Sequence, residues 1–281
     1  MSKHQSENIR ARFATALSSN EEQIDLAEAA LLIAGEEYPH LNVLAYVEKL
    51  DRFGDLAREQ ADAARGAHGT ILAINTVIFE ELGFHGNREN YYDPRNSFLN
   101  EVIDRRLGIP ITLAVVYMAV ARRVGFGVHG VAMPHHFIVK HIHEGGEIFI
   151  DPFNGGQVMG EAECGELLDQ VSGGRMKLES EYLCAATNKQ ILTRMLTNLL
   201  GIYAESNDYG RALAALDRIL LINPDSPSHV RDRGLLLAAL GDAHHALAEL
   251  ARYLQLAPEA ADAAAIREQM KTIRGTHARL N

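Results

Sequence analysis

The chain contains no tryptophan and only two cysteines, Cys164 and Cys184. Without Trp, a core has to be built from Leu, Ile, Phe and Tyr. Two thiols allow one chance disulfide and no framework of bridges, a usage that fits a reducing compartment. Positive charge is scarce as well: 27 Lys and Arg against 37 Asp and Glu leave a formal net charge of −10. Nucleic acid and anionic lipid both need a basic face, so this balance argues against binding either one. The densest basic cluster, Arg105, Arg106, Arg122 and Arg123, reads as solvated helix faces. Long apolar runs are missing too. The longest, ITLAVVYMAVA, falls short of the roughly 20 residues that span a bilayer. The opening stretch, MSKHQSENIRARF, has no apolar core of a secretory leader. The expectation is a cytoplasmic chain with neither a membrane nor a nucleic-acid partner.

What is present is ordinary globular material. A length of 281 residues suits one or two domains. The first quarter reads as helices. Ile24, Leu26, Ala30, Leu31 and Ala34 recur at helical spacing until Pro39. A second helix is expected over 42–65, with Val43, Val47, Leu50 and Leu56 on its buried stripe. A third runs from Thr70 to Leu82, stopped by Gly83. GFHGNRENYYDPRNS is turn chemistry, and Asn96 or Ser97 could cap the helix FLNEVIDRRLG. Gly108-Ile109-Pro110 breaks that helix and opens another, about Ile111 to Val124, with Pro in its first turn. This helix is apolar on nearly every face, so it should be buried and central. After Gly127 the period changes. GVHGVAM, HFIVKHI and EIFIDPF are rich in β-branched and aromatic residues and read as strands. Gly145-Gly146 suggests the turn of a hairpin.

The last third is helical and repeats. Ala212 and Ala246 are 34 residues apart, as are Pro224 and Pro258. Aligning LAALDRILLINPD with LAELARYLQLAPE keeps the apolar positions in register, and this period is that of the tetratricopeptide repeat. Two repeats and a closing helix, about Ala261 to Leu280, are expected. Such helices can form a concave groove for a peptide or partner protein, or act as a brace within the molecule.

A helix opening at Gly108–Thr112, a histidine near the start of a strand and an acid on the next strand form a pattern with chemical meaning. A thiolate at a helix N-terminus has its pKa lowered by the helix dipole and a neighbouring His, which a carboxylate orients. LAEAALLIAGEEYP, GFHGNRENYYDPRNSFLNEVIDRRLGIPITLAVVY, VAMPHHFIV and FIDPFNGG occur in the order seen in the bacterial SirB-type family, a branch of the transglutaminase-like proteins. The chain resembles that family over about half its length, and a tetratricopeptide tail is usual there. The resemblance implies an α+β fold with a papain/transglutaminase-like core. It divides the chain into a transglutaminase-like domain over 1–182 and repeats over 187–281. The family histidine maps to His136 and its acid to Asp151. The thiol slot of active members falls between Pro110 and Thr112, where this chain has no Cys.

Strand geometry can be checked against that mapping. A two-residue turn at Gly145-Gly146 would pair Lys140 with Asp151. Direct opposition of His136 and Asp151 needs a longer connection, His141 to Gly146, which the resemblance favours. Both registers place the two side chains on one face. His136 and Asp151 could be a residual catalytic dyad, a ligand site, or a buried pair that fixes two strands. Thr112 is the one alternative nucleophile, although a hydroxyl near a helix start commonly caps it. His129, His135, His136, His141 and His143 invite a metal, but strand alternation splits them between faces, so no metal and no cofactor are expected. Tyr91, Tyr92, Asp93, Arg95 and Asn96 could line a pocket or form a rigid turn. Two functions remain. One is a non-catalytic protein working through a protein or peptide partner held by the repeats, in a regulatory role. The other is a hydrolase or acyltransferase using His136 and Asp151 with a nucleophile such as Thr112.

Overall fold

Apolar periodicity builds most of this α+β chain, seen here in a computed structural model that describes residues 3–61 and 66–280. These fall into two compact units, Met1–Met195 and Leu196–Asn281. The first begins with α1 (Lys3–Leu17), α2 (Leu26–Ala34), α3 (Val43–Ala61) and α4 (Gly66–Asn75). Residues 62–65 of the expected second helix lie outside the described residues. The buried stripe of α3 is Val43, Leu50, Phe53, Gly54 and Ala57, whereas Leu56, expected inside, is 41% exposed. Leu50, Phe53 and Ala57 follow the helical period, and Leu56 falls one position off it. The third helix changes hand-hold midway: α4 ends at Asn75 and a π-helical turn, Thr76–Glu81, completes it.

A two-residue parallel bridge joins β1 (His85–Gly86) to β2 (Leu107–Gly108) around α5 (Leu99–Arg105). Asn96 and Ser97 do not cap α5. They belong to a 3-10 turn, Pro94–Ser97, and Phe98 holds the cap position without a side-chain hydrogen bond. Nor is Arg106 a solvated helix residue. It ends α5 with φ 61° and its guanidinium lies between the rings of Phe53 and Phe84, 4.7 and 4.6 Å from their centroids.

The centre of the unit is α6 (Pro110–Val124), stopped by Gly125 in the left-handed conformation. Ile111, Leu113, Val115, Val116, Tyr117 and Val120 along it are each at most 2% exposed. An antiparallel sheet follows in the order β3 (His129–Val131), β4 (Ile138–His143), β5 (Gly146–Asp151) and β6 (Gln157–Met159). Then comes α7 (Glu161–Ser172). Strand β6 has no counterpart among the strands expected from sequence. Its three residues are too short to display an alternating pattern.

The remaining helices are α8 (Asn188–Glu205), α9 (Tyr209–Ile222), α10 (Pro227–Ala239), α11 (Ala243–Leu256) and α12 (Ala263–Leu280). Asp208 and Asp242, 34 positions apart, cap α9 and α11 in the same way, each accepting from the amide three residues on. Leu220, Val230, Leu250, Tyr253, Ile266 and Met270 share one apolar cluster in this second unit. A Cβ at Gly234 would stand 2.7 Å from Leu250, so the missing side chain is what lets α10 and α11 approach.

Candidate functional site

The hairpin β4–β5 positions the acid. Its register is Val139↔Ile150, Lys140↔Phe149 and His143↔Gly146, so Glu144 and Gly145 form the turn. Neither register expected from sequence is adopted. Lys140 does not face Asp151, and His136 is not directly opposite it, because the turn sits one residue earlier than Gly145-Gly146 suggests. Continuing the observed pairing would set Asp151 beside Ile138, two residues beyond His136. That keeps the two side chains on one face as diagonal neighbours, within reach of a long side chain.

His136 precedes β4 in a turn and closes the diagonal. Its Nε2 lies 2.8 Å from Asp151 Oδ2. The histidine is 4% exposed and the aspartate 0%. Asp151 accepts four hydrogen bonds in all. Oδ1 takes the Phe153 and Asn154 amides at 3.0 and 3.3 Å, and Oδ2 takes Asn154 Nδ2 at 2.7 Å besides the imidazole. The carboxylate thus caps the 3-10 turn Pro152–Asn154 and fixes the ring at once. A carboxylate partner calls for the proton on Nε2, leaving the lone pair of the neutral ring on Nδ1. The His136 backbone is held separately, its carbonyl oxygen accepting from Arg194 Nη2 at 2.9 Å. His135 beside it has φ 60°, a left-handed backbone that is uncommon outside glycine.

The ring lines a cavity of about 540 Å³. Its walls include Pro110 at the start of α6, Tyr91 and Phe153 on an aromatic side, and Glu163, Glu166 and Gln170 on α7. Phe153 meets His136 edge-on at 5.9 Å and Tyr91 at 6.2 Å, and the Arg88 guanidinium lies over its face at 5.0 Å. A Cβ at Gly86 would stand 2.5 Å from that ring, so glycine there leaves room for Phe153. Burial, and then the neighbouring Tyr92, push the Tyr91 hydroxyl above its ordinary pKa, against the opposing effect of Arg194.

The residues that sequence analysis grouped around the turn divide. Tyr91 lines the cavity, whereas Asp93 accepts from the Arg95 amide at 2.9 Å and pairs with its guanidinium. Asn96 is fully buried, bonded to the Asn90 and Tyr91 carbonyls. Thr112 is also fully buried. Its Oγ1 lies 3.1 Å from the Ile109 amide and 2.8 Å from the Asn96 carbonyl oxygen, so it accepts from one and donates to the other. Neither cysteine stands at the start of α6. Cys164 sits on α7 in an apolar cluster with Val131, Met133, Ile138 and Leu168. Burial, then the carboxylates of Glu163, Asp151 and Glu161, push its thiol up to about 12. Cys184 is exposed. Among the described residues no group of three or more His, Cys, Asp and Glu could hold a metal ion.

Sequence reasoning missed Asn154, Arg88 and Arg194. The first had a signal, since Asp-Pro at 151–152 is the pattern of a capped turn. Arg194 comes from 58 residues downstream of its partner and had none.

A model of the transglutaminase-like superfamily matches residues 44–197, and one of the tetratricopeptide repeat matches 199–271. The chain is 39% identical over 242 residues to a UPF0162 protein of Xylella fastidiosa, covering 85% of this chain and 86% of the relative. It is 28% identical over 235 residues to the UPF0162 protein YchA of Escherichia coli, covering 82% and 86%. F-box only protein 21 of Mus musculus is 32% identical over 165 residues, which are 54% of this chain and 25% of that much longer one. Among the described residues no helix is long and apolar enough to cross a membrane.

Proposed function

The chain belongs to the transglutaminase-like superfamily, and from that premise we propose that it is a non-catalytic member acting through protein–protein contacts. The observation that carries this reading is the composition of the cavity wall that the histidine shares. Pro110, which has neither thiol nor hydroxyl, is the residue of α6 that lines the cavity with His136. The His–Asp pair is intact and rigid, yet it has nothing to activate. Where a covalent nucleophile is removed from a triad, turnover falls by about six orders of magnitude.

The catalytic alternative would need another nucleophile. Thr112 offers weak support for it, since its hydroxyl is buried and engaged on both sides. Cys164 offers none, because an apolar, carboxylate-flanked thiol is the opposite of an activated one. The tetratricopeptide segment supports the interaction half of the proposal, since stacked helix pairs of this kind present extended binding surfaces.

The test is to incubate the full chain with a glutamine-bearing acyl-donor protein and a primary amine as acyl acceptor, and separately with fluorogenic peptides. No turnover is expected. Turnover that survives thiol blocking and disappears in His136→Ala would overturn the proposal. A sharper variant is Pro110→Cys in a Cys184→Ser background. A thiol there would face His136 at a helix start, so it should be alkylated with a pKa below the ordinary ~8.5. An ordinary thiol pKa at that position would count against the reading of Pro110 as the vacant slot.

A further inference from the structure

Outside the His–Asp bond itself, the cavity has a polarity that the non-catalytic reading does not use. Nδ1 of His136 makes no hydrogen bond among the described residues, although the ring is 4% exposed and lines the cavity. Pro110 brings to the same cavity the positive end of a 15-residue helix. The exposed guanidinium of Arg88 stands on the same wall. One of its nitrogens is bonded to Asn154 Oδ1, and its other donors remain for a ligand. A reactive thiolate would be an anion at this place, stabilised by the helix end and an imidazolium. With the thiolate gone, the features that would stabilise an anion are still there.

We propose that this cavity binds a carboxylate of a partner peptide, one oxygen on His136 Nδ1 and the other on Arg88, at the positive end of α6. The inference rests on the non-catalytic reading and names what the disused site holds. Nδ1 can donate to a carboxylate oxygen only as an N–H, so the bound ring lies as a two-sided donor between the buried Asp151 carboxylate and the incoming one. The other titratable groups on the wall are Tyr91, His135, Glu163 and Glu166. Glu163 accepts from the Gly160 amide and is tied to its own helix. Glu166 repels a second negative charge, so a ligand with a single carboxylate fits better than an acidic run. The source of that carboxylate is either a chain terminus or an acidic side chain, and the two are chemically alike at the floor of the cavity.

Three tripeptides titrated calorimetrically into the full chain test this: acetyl-Ala-Ala-Ala as free acid, the same as C-terminal amide, and acetyl-Ala-Glu-Ala amide. One or both acids should bind at least tenfold more tightly than the first amide. Which acid binds identifies the source. Arg88→Ala, which also loses the bond to Asn154 and is therefore checked for unchanged His136 ring signals, should weaken the acid roughly tenfold. His136→Gln should likewise lower the affinity for the acid and leave that for the amide unchanged. Equal binding of acid and amide, an acid affinity unchanged in His136→Gln, or no heat from either acid at roughly 10 mM would overturn the proposal. Peptide recovered cleaved or cross-linked after the titration would instead count against the non-catalytic reading, and leaves the measured affinities to stand or fall separately.

Discussion

The two units of this chain are held by contacts of different reach. In the first, side-chain hydrogen bonds tie residues far apart in sequence: Asn75 to Gly156 across 81 positions, Arg88 to Asn154 across 66, Arg194 to His136 across 58. In the second, side-chain bonds such as Arg231 to Asp262 across 31 positions and Arg252 to Asp225 across 27 reach about one repeat along the chain. Repeat helices contact their neighbours, so damage there stays local. A site assembled from remote segments depends on all of them arriving, which makes its folding slower and its single residues more consequential. In the first unit four hydrogen bonds converge on the Asp151 carboxylate, whereas the second distributes apolar contacts along a period.

The largest effect that would sharpen this contrast is Asp151→Ala. It would leave four donors without their acceptor in a buried place, at a cost of about 3–5 kcal/mol. Urea unfolding combined with pulse proteolysis should show the first unit opening while fragments of the second persist. If both units melt together, the comparison fails. Leu250→Ala is the matching probe in the repeats. Leu250 is fully buried, and its truncation should cost about 2–4 kcal/mol. The loss should appear in the fragments of the second unit and leave the His136 ring resonances in place.

Gly86→Ala should cost about 1–3 kcal/mol by pressing on Phe153. It should also move the His136 ring signals, which a purely local strain would leave alone. The smallest effect concerns pH. Hydrogen bonding to Arg95 holds the Asp93 carboxyl below its ordinary pKa of 3.8, and the charges of Arg95 and Arg105 act the same way. A lowered folded-state pKa means this contribution is present above the unfolded value and disappears as pH falls through the folded one. The gain above pH 4 is below about 1 kcal/mol, since the pair is close to solvent. Asp93→Asn should flatten that part of the acid unfolding curve, and an unchanged slope would dismiss the pair as an influence.

The same contrast explains what could be read from the sequence. The repeats announce themselves because each residue's surroundings recur 34 positions on, as with Ala212 and Ala246. The central helix is legible for a similar reason: ITLAVVYMAVA is apolar on every face, and Pro110 and Gly125 mark its ends. His136 and Asp151 came from a family resemblance, and their shared face from strand parity. Their diagonal contact was not readable, because one residue of turn placement decides the register and Gly145-Gly146 allows more than one turn. The π-helical turn at Thr76–Glu81 leaves no mark in a pattern of apolar residues. Arg106 looked like one more surface charge, and only Phe53 and Phe84, brought from elsewhere in the chain, make it otherwise.

Asp151 also changes how the segment after β5 will breathe. The Phe153 and Asn154 amides donate to a carboxylate that is itself sealed in by an imidazole and a carboxamide. Each proton is held by its own bond to that carboxylate and exchanges only when that bond opens. A connection of three residues, which would ordinarily trade its amide hydrogens for deuterium within moments, should therefore keep them about as long as the strand it follows.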